Sequence, residues 1–362
     1  MEGLVTRAAC GGGLLDQRGD RRSARPCGLV TRAGSRPRAP RPAEGACRRA
    51  AAGLVTRAGC ARPLLDQRRV TLAALGGSLL DRRRGLSLGS PGAWLAPMQH
   101  ARSADGTPIA FHRRGSGTPV IVIGGAFSTA ADASAIADAL SEAGFEAVTV
   151  DRRARGDSGD GPADARERAP FSPEREAEDV AAVIDAVGGS AVLLGHSSGA
   201  LVALLAAAHG APVTHLFLSE PPMRFGLDEP AADLPERLQS LVDAGRTREA
   251  VLTFQREGIE LPEPMIEQIA ASELMPHLES LAQSTVYDAT IAAATSDPDE
   301  RMLHLRVPTT VLLGAETFPL LERAAPMLVE RMPSAELVRV PESRGHSVDP
   351  AATAAIVAAR VR

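Results

Sequence analysis

The stretch that decides the fold is Gly195-His196-Ser197-Ser198-Gly199, which follows an apolar run at residues 191–194 and precedes a small-residue run at residues 200–208. This order predicts a strand, a sharp turn that carries a serine, and a helix. Glycines at both ends of the turn let the strand and the helix pass close to the serine backbone. The turn lifts Ser197 above the edge of a sheet, where the start of the helix supplies positive potential. We therefore predict that Ser197 is a nucleophile.

The charge of the chain changes near Met98. Residues 1–97 contain 18 Arg against six Asp or Glu, whereas residues 98–362 contain 22 Arg against 38 Asp or Glu. All four cysteines precede Met98 and all eight histidines follow it. The second part is long enough to bury a substantial core. Because the chain has no run of 18 apolar residues and no N-terminal hydrophobic signal, we expect a cytoplasmic protein that does not enter a membrane.

Residues 1–97 are repetitive. The unit GLVTRA occurs three times and the unit LLDQR occurs twice, and these copies begin at Gly3, Gly28, Gly53, Leu14 and Leu64. The repeats contain few core-sized residues and show no helical or strand periodicity, which is typical of a low-complexity segment. We expect residues 1–97 to be a disordered extension, or a translated upstream region with the natural start near Met98.

Two functional alternatives apply to the same segment. An arginine-rich arm can neutralise the phosphates of a nucleic acid, but no aromatic residues are interleaved among the repeats to stack on bases. The cysteines, Cys10, Cys27, Cys47 and Cys60, can ligate zinc, but their spacing is irregular and no histidine lies near them. We assign residues 1–97 no chemistry and expect neither a nucleic-acid partner nor a metal site.

From Met98 onward, the apolar patterns predict alternating strands and helices. Strands are expected at residues 107–112, 119–123, 147–150, 215–219, 309–313 and 336–340, and helices at residues 129–143 and 173–187. The strand at 119–123 ends in Gly124-Gly125-Ala126-Phe127, where a glycine pair lets backbone amides face a ligand. We predict that the N–H groups of Ala126 and Ser198 stabilise an oxyanion.

The strand at 147–150 runs into a charged segment, Asp151-Arg152-Arg153-Ala154-Arg155-Gly156-Asp157-Ser158-Gly159. Arginine and aspartate at the end of a strand commonly cap and tie neighbouring loops. We interpret these charges as structural.

The order of these motifs resembles the α/β-hydrolase superfamily over residues 98–362. The motifs are the Gly-Gly turn, D-R-R-x-R-G-D-S-G, an acidic helix, G-H-S-S-G, a long insertion and a late G-H-S-V-D-P. The resemblance implies an α/β fold with a mostly parallel, eight-stranded sheet flanked by helices. It also implies a helical cap at about residues 222–305, inserted between strands six and seven. Such a cap implies a closed, mostly apolar pocket.

The remaining catalytic residues are expected late in the chain, because a serine needs a base to take its proton and a carboxylate to orient the base. His346 lies after the eighth strand, where the superfamily places its histidine. Where many members carry the carboxylate, this sequence has Thr317. Glu220, at the end of strand six, and Glu316 are the alternatives. We favour Glu220, because neighbouring side chains in an extended segment point oppositely and Glu316 would need a distorted loop.

The predicted substrate-binding residues are Phe127, His196, Met223 and Tyr287. His196 lies beside the nucleophile, and Phe127 follows the Gly-Gly turn. Met223 and Tyr287 belong to the insertion, as do four further lining candidates, Phe225, Phe254, Met265 and Met275.

These assignments imply a serine hydrolase that transfers an acyl group from a small ester, thioester or lactone to water, without a metal or a cofactor. The same residues suit C–C bond hydrolysis or cofactor-free perhydrolysis. A ligand-binding or signalling module that turns over slowly is an alternative of a different class. The expected partner is a small-molecule substrate, and the oligomeric state is left open between a monomer and a homodimer.

Overall fold

The computed structural model describes residues 97–162 and 170–361. The predictions made for the repeat segment and its four cysteines lie outside these residues. The strands are β1 (Gln99–Arg102), β2 (Pro108–Gly115), β3 (Pro119–Ile123), β4 (Glu146–Val150), β5 (Ala191–His196), β6 (Val213–Ser219), β7 (Thr309–Ala315) and β8 (Ala335–Arg344).

The strands form one sheet in the order β1-β2-β4-β3-β5-β6-β7-β8. β2 pairs antiparallel with both β1 and β4, and every other neighbouring pair is parallel. The predicted fold class, an α/β fold with a mostly parallel, eight-stranded sheet, is confirmed. The predicted strands are all present, and most extend a few residues beyond the expected bounds.

Helices flank the sheet and fill the connection from β6 to β7. In chain order they are α1 (Ser134–Glu142), α2 (Pro173–Ala186), α3 (Ser198–Ala208), α4 (Leu234–Asp243), α5 (Thr247–Thr253), α6 (Glu263–Ala270), α7 (Met275–Ser280), α8 (Ala282–Thr295), α9 (Glu300–Leu303), α10 (Pro319–Arg331) and α11 (Pro350–Val361). The helix predicted at residues 129–143 is divided, because a 3₁₀ turn at Ala130–Ala133 precedes α1. Among the described residues, no helix is long and apolar enough to cross a membrane.

The sheet has an apolar core on each face. Successive side chains of β3 pack into opposite cores, with Ile121 and Ile123 in one and Val120 and Val122 in the other. Such a strand, apolar on both faces, is typical of a parallel sheet covered by helices. The helix after the turn, α3, is buried continuously from Ser198 to Ala207. An almost wholly apolar helix is stable in this position because it has no face to expose.

The connection from β6 to β7 is a helical insertion, residues 220–308, which lies wholly within the described residues and contains α4 to α9. Its helices enclose a separate apolar cluster that includes Leu238, Val251 and Leu278. Phe127, from the loop after β3, also belongs to this cluster. The insertion is therefore packed onto the loop that follows β3.

Candidate active site

Ser197 occupies a tightly crowded turn between β5 and α3. Its backbone has φ 54° and ψ −125°, a conformation that costs free energy in a residue with a side chain. A Cβ on Gly195 would lie 2.3 Å from the Gly199 carbonyl oxygen, and a Cβ on Gly199 would lie 2.2 Å from the Ile123 carbonyl oxygen. Backbone atoms cannot yield as a flexible side chain does, so only glycine fits at both positions.

A continuous hydrogen-bonded chain links Ser197 to His346 and Glu220. His346 Nε2 lies 3.1 Å from Ser197 Oγ, and His346 Nδ1 lies 2.5 Å from Glu220 Oε2. The three residues come from the ends of β5 and β6 and from the loop after β8. Each has a positive φ, 54° at Ser197, 51° at Glu220 and 60° at His346. The structure thus brings together the three side chains predicted as nucleophile, base and carboxylate.

Of the two candidate carboxylates, Glu220 is the one that contacts His346. Its Oε1 also accepts a hydrogen bond of 3.0 Å from the Gly314 N–H. Glu316 is exposed and pairs instead with Arg344, at 2.7 Å. A Cβ on Gly314 would lie 2.9 Å from Glu220 Oε1, so the glycine at the end of β7 leaves room for this carboxylate. The same Cβ would lie 2.6 Å from the Ser343 carbonyl oxygen, so the backbone of β8 also requires glycine at this position.

The environment keeps Glu220 ionised and His196 neutral. Burial alone would raise the pKa of Glu220, but the hydrogen bonds to His346 and to the Gly314 N–H help to lower it below its usual value. Burial, together with the nearby His346, lowers the pKa of His196 to about 3. The Nδ1 of His196 lies 3.1 Å from Ser219 Oγ, and its ring centroid lies 4.7 Å from that of His346.

A cavity of about 1320 Å³ opens onto Ser197 and His346. Its lining comes from the loops at the carboxyl ends of the strands and from the helical insertion. Many of the lining side chains are apolar, and they include Ile123, Phe254, Leu261, Ala289, Phe318 and Leu321. Phe318 makes an edge contact with His346, with ring centroids 5.4 Å apart.

The predicted oxyanion donors border this cavity beside the serine. Both Ala126 and Ser198 are among its lining residues. A Cβ on Gly125 would lie 2.9 Å from the Cβ of Ser197, so the backbone of this loop lies directly against the turn. Ser198 is the first residue of α3, whose amino end faces the same space.

Of the predicted substrate-binding residues, His196 lines the cavity and Phe127, Met223 and Tyr287 do not. Phe127 has φ 58° and packs its ring edge-on against Phe254, which does line the cavity. Met223 is 1% exposed and belongs to the core of the sheet. Tyr287 stacks on Phe171 with ring centroids 3.9 Å apart and donates a hydrogen bond to Asp160. Three further candidates are likewise absent from the lining: Phe225, Met265 and Met275.

A buried ion cluster lies against the same loops, and one of its members was missed by sequence reasoning. Glu176 binds Arg152 through both of its oxygens, at 2.5 and 2.8 Å. Asp288, on α8 of the insertion, binds Arg152 at 2.9 Å and Arg155 at 2.8 Å. Burial would raise the pKa of Asp288, but the two guanidinium groups lower it below its usual value. The cluster, with two arginines and two carboxylates, is electrically balanced.

Within residues 97–162 and 170–361, no three His, Cys, Asp or Glu side chains are placed to hold a metal ion.

Residues 76–359 match the profile described as "Alpha/beta hydrolase family". The chain belongs to the alpha/beta hydrolase family, and it is an enzyme with hydrolase activity.

Solved structures agree with this assignment. An alpha/beta hydrolase from Sphaerobacter thermophilus DSM 20745 is 38% identical, with a TM-score of 0.66, and the match covers 73% of this chain and 100% of that chain. A hydrolase from Pseudomonas aeruginosa PA01 is 20% identical, with a TM-score of 0.53, over 74% of this chain and 99% of that chain. A thermophilic esterase from Thermogutta terrifontis, with malate bound, is 21% identical, with a TM-score of 0.50. This match covers 74% of this chain and 97% of that chain. These last two similarities show the fold alone. No curated protein sequence matches the chain significantly.

The lowered pKa of His196 predicts a pH dependence of stability. The pKa is about 3 in the folded protein and near 6.5 in the unfolded chain, so the unfolded state binds more protons between these values. The contribution of His196 therefore makes the free energy of unfolding fall as the pH drops below about 6.5. We expect His196→Asn to reduce the change in unfolding free energy between pH 7 and pH 5 by about 1–2 kcal/mol.

Urea unfolding at both pH values measures this change. The exposed His304, replaced by Asn, controls for the loss of a histidine. An unchanged difference between the two pH values in His196→Asn would contradict the prediction.

Proposed function

We propose that this enzyme hydrolyses small carboxylic esters, thioesters or lactones through an acyl intermediate on Ser197. One observation carries the proposal: the hydrogen-bonded chain from Glu220 through His346 to Ser197, at 2.5 and 3.1 Å, ends in a cavity. A hydroxyl, an imidazole and a carboxylate in this order form the arrangement that activates a serine for acyl transfer.

Each residue has a defined role in the proposed reaction. Ser197 Oγ attacks the carbonyl carbon of the substrate while His346 Nε2 takes the hydroxyl proton. Glu220 holds the imidazole through Nδ1 and stabilises the positive charge that forms on it. His346 then donates the proton to the leaving group, which departs and leaves an acyl group on Ser197. Water, deprotonated by His346, then attacks the acyl group. The bond between Ser197 Oγ and the acyl carbon breaks, Oγ takes the proton back from His346, and the acid is released.

The negative charge of the tetrahedral intermediates needs donors that are already in place. The N–H groups of Ala126 and Ser198 are our candidates, because both residues border the cavity next to Ser197. The amino end of α3 adds positive potential at the same point, since its first amides have no partner within the helix.

The composition of the cavity lining favours an uncharged substrate. Many of the lining side chains, from the insertion and from the strand ends, are apolar, and the lining also includes carboxylates such as Asp132 and Glu229. Arg224 and Arg323 also line the cavity, but each is paired with a carboxylate, Glu260 at 3.0 Å and Asp228 at 3.3 Å. The cavity is larger than the range of about 300–1,000 Å³ that is typical of small-molecule sites, so it has room for a substrate and the hydrolytic water.

Labelling with a fluorophosphonate tests the proposal, because this probe phosphonylates only an activated serine. We expect the wild-type chain to be labelled at Ser197, as located by mass spectrometry of the modified peptide. Ser197→Ala and His346→Ala should both abolish the labelling, provided that circular dichroism shows them to be folded. A folded wild-type protein that is not labelled, or that is labelled elsewhere, would contradict the proposal and favour a binding module.

If Glu220 is the carboxylate that orients His346, substitutions of Glu220 and of Glu316 should have different effects on kcat. Glu220→Gln keeps the shape of the side chain but removes the charge that stabilises the imidazolium, so kcat for an aryl ester should fall by about 10²–10⁴-fold. Glu316→Gln, the matched control in an exposed loop, should change kcat by less than about 3-fold. Steady-state kinetics of both variants measure the contrast. A comparable loss of kcat in both would show that Glu220 does not orient His346.

A further inference from the structure

The buried ion cluster of Arg152, Arg155, Glu176 and Asp288 also contacts the backbone that borders the nucleophile. Arg155 Nη1 donates a hydrogen bond of 2.6 Å to the Gly125 carbonyl oxygen. All four side chains are no more than 4% exposed. The cluster is therefore buried and connects α8 of the insertion to the loop after β3.

The contact with Gly125 fixes the direction of the next N–H group. In a planar trans peptide, the carbonyl of one residue and the N–H of the next point in opposite directions. Because Arg155 holds the Gly125 oxygen on the side of the cluster, the Ala126 N–H points in the opposite direction, away from the cluster. The Ser128 N–H donates a second hydrogen bond to the same oxygen, at 3.3 Å. Rotation of this peptide would break both bonds.

Arg152 makes a similar contact beside the second candidate donor. Its Nη1 donates to Ser198 Oγ at 3.0 Å and lies 3.4 Å from the Gly124 carbonyl oxygen. Asp288 accepts hydrogen bonds from both arginines, one on each of its oxygens. A single carboxylate from the insertion thus holds the two guanidinium groups that contact both sides of the proposed oxyanion site.

We infer that Arg155, held in place by Asp288, is a positioning residue that orients the Ala126 N–H toward the oxyanion, so that the insertion completes the catalytic site rather than only covering it. This inference rests on the proposed acyl transfer at Ser197. Its physical basis is preorganisation, since a donor that is fixed before the reaction stabilises the developing charge without reorganising.

A neighbouring ion pair provides a matched control. Arg153, in the same charged segment, binds Asp179 through two bonds of 2.6 and 2.7 Å, and both residues are 4% exposed. Its other partners are Asp105 and the Arg175 carbonyl oxygen, which lie away from the nucleophile. Loss of this pair removes a comparable buried ionic contact without releasing the Gly125 carbonyl.

The test compares Arg155→Lys and Asp288→Asn with Arg153→Lys and Asp179→Asn in the full chain. An aryl ester gives kcat and KM, and phenylboronic acid, which forms a tetrahedral adduct with an activated serine, gives an inhibition constant. We expect Arg155→Lys and Asp288→Asn to lower kcat by about 10- to 100-fold and to weaken boronate binding to a similar extent, with KM within about 3-fold. The two control variants should lower the melting temperature and leave kcat within about 3-fold.

Equal losses of kcat in the two pairs, or unchanged boronate binding in Arg155→Lys, would overturn the inference. Failure of the proposed function gives a different result, because the wild-type chain would then show no turnover that depends on Ser197. In that case the crystal structure of Arg155→Lys decides the question. A Gly125 to Ala126 peptide that keeps its wild-type orientation without Arg155 would overturn the positioning role, and a rotated peptide would support it.

Discussion

The crowding of backbone around Ser197 is the constraint on which the rest of the site depends. The turn after β5, the start of α3 and the loop after β3 approach so closely that glycine is required at positions 195 and 199. This approach lifts the serine hydroxyl into the cavity and brings the amino end of α3 and the Ala126 peptide beside it. The backbone strain at Ser197 is held by its surroundings, because β5 and α3 are buried on all sides.

The parts of the fold that depend on local pattern could be predicted from the sequence. The continuous apolar run of β3 and the glycines on both sides of Ser197 carry their structural meaning within a few residues. The prediction that His346 is the base depended on the resemblance to a family, because the residues around it do not by themselves identify a catalytic histidine. The choice between Glu220 and Glu316 remained open for a related reason: it depends on the paths of two loops that are 96 residues apart.

The lining of the cavity was harder to predict, because an apolar residue gives no indication of the direction in which it packs. Phe127, Met223 and Tyr287 have the composition expected of a pocket, yet they are buried in the cores and against neighbouring side chains. Asp288 was missed for a different reason. It lies 136 residues from Arg152 in the sequence, and nothing near either residue indicates that they meet. Contacts of this kind arise only from the packing of the insertion on the sheet.

Two hydrogen-bonded systems lie beside the nucleophile: one ends on Ser197, and the other contacts Ser198 and the Gly125 carbonyl oxygen. In the proposed mechanism the first system, from Glu220 through His346, moves a proton, and the second, from Asp288 through Arg155 to the Gly125 carbonyl, sets the direction of the Ala126 N–H. The first is held by the ends of the strands, whereas the second requires the insertion. Both are buried, and their charges are therefore less screened than they would be at the surface.

The most direct measurement is a crystal structure of the protein after phosphonylation by a fluorophosphonate. We expect an adduct on Ser197 Oγ whose phosphoryl oxygen accepts hydrogen bonds from the N–H groups of Ala126 and Ser198, with Arg155 still bound to the Gly125 carbonyl oxygen. An adduct on another residue, or a phosphoryl oxygen on Ser197 that faces away from both amides, would contradict this expectation.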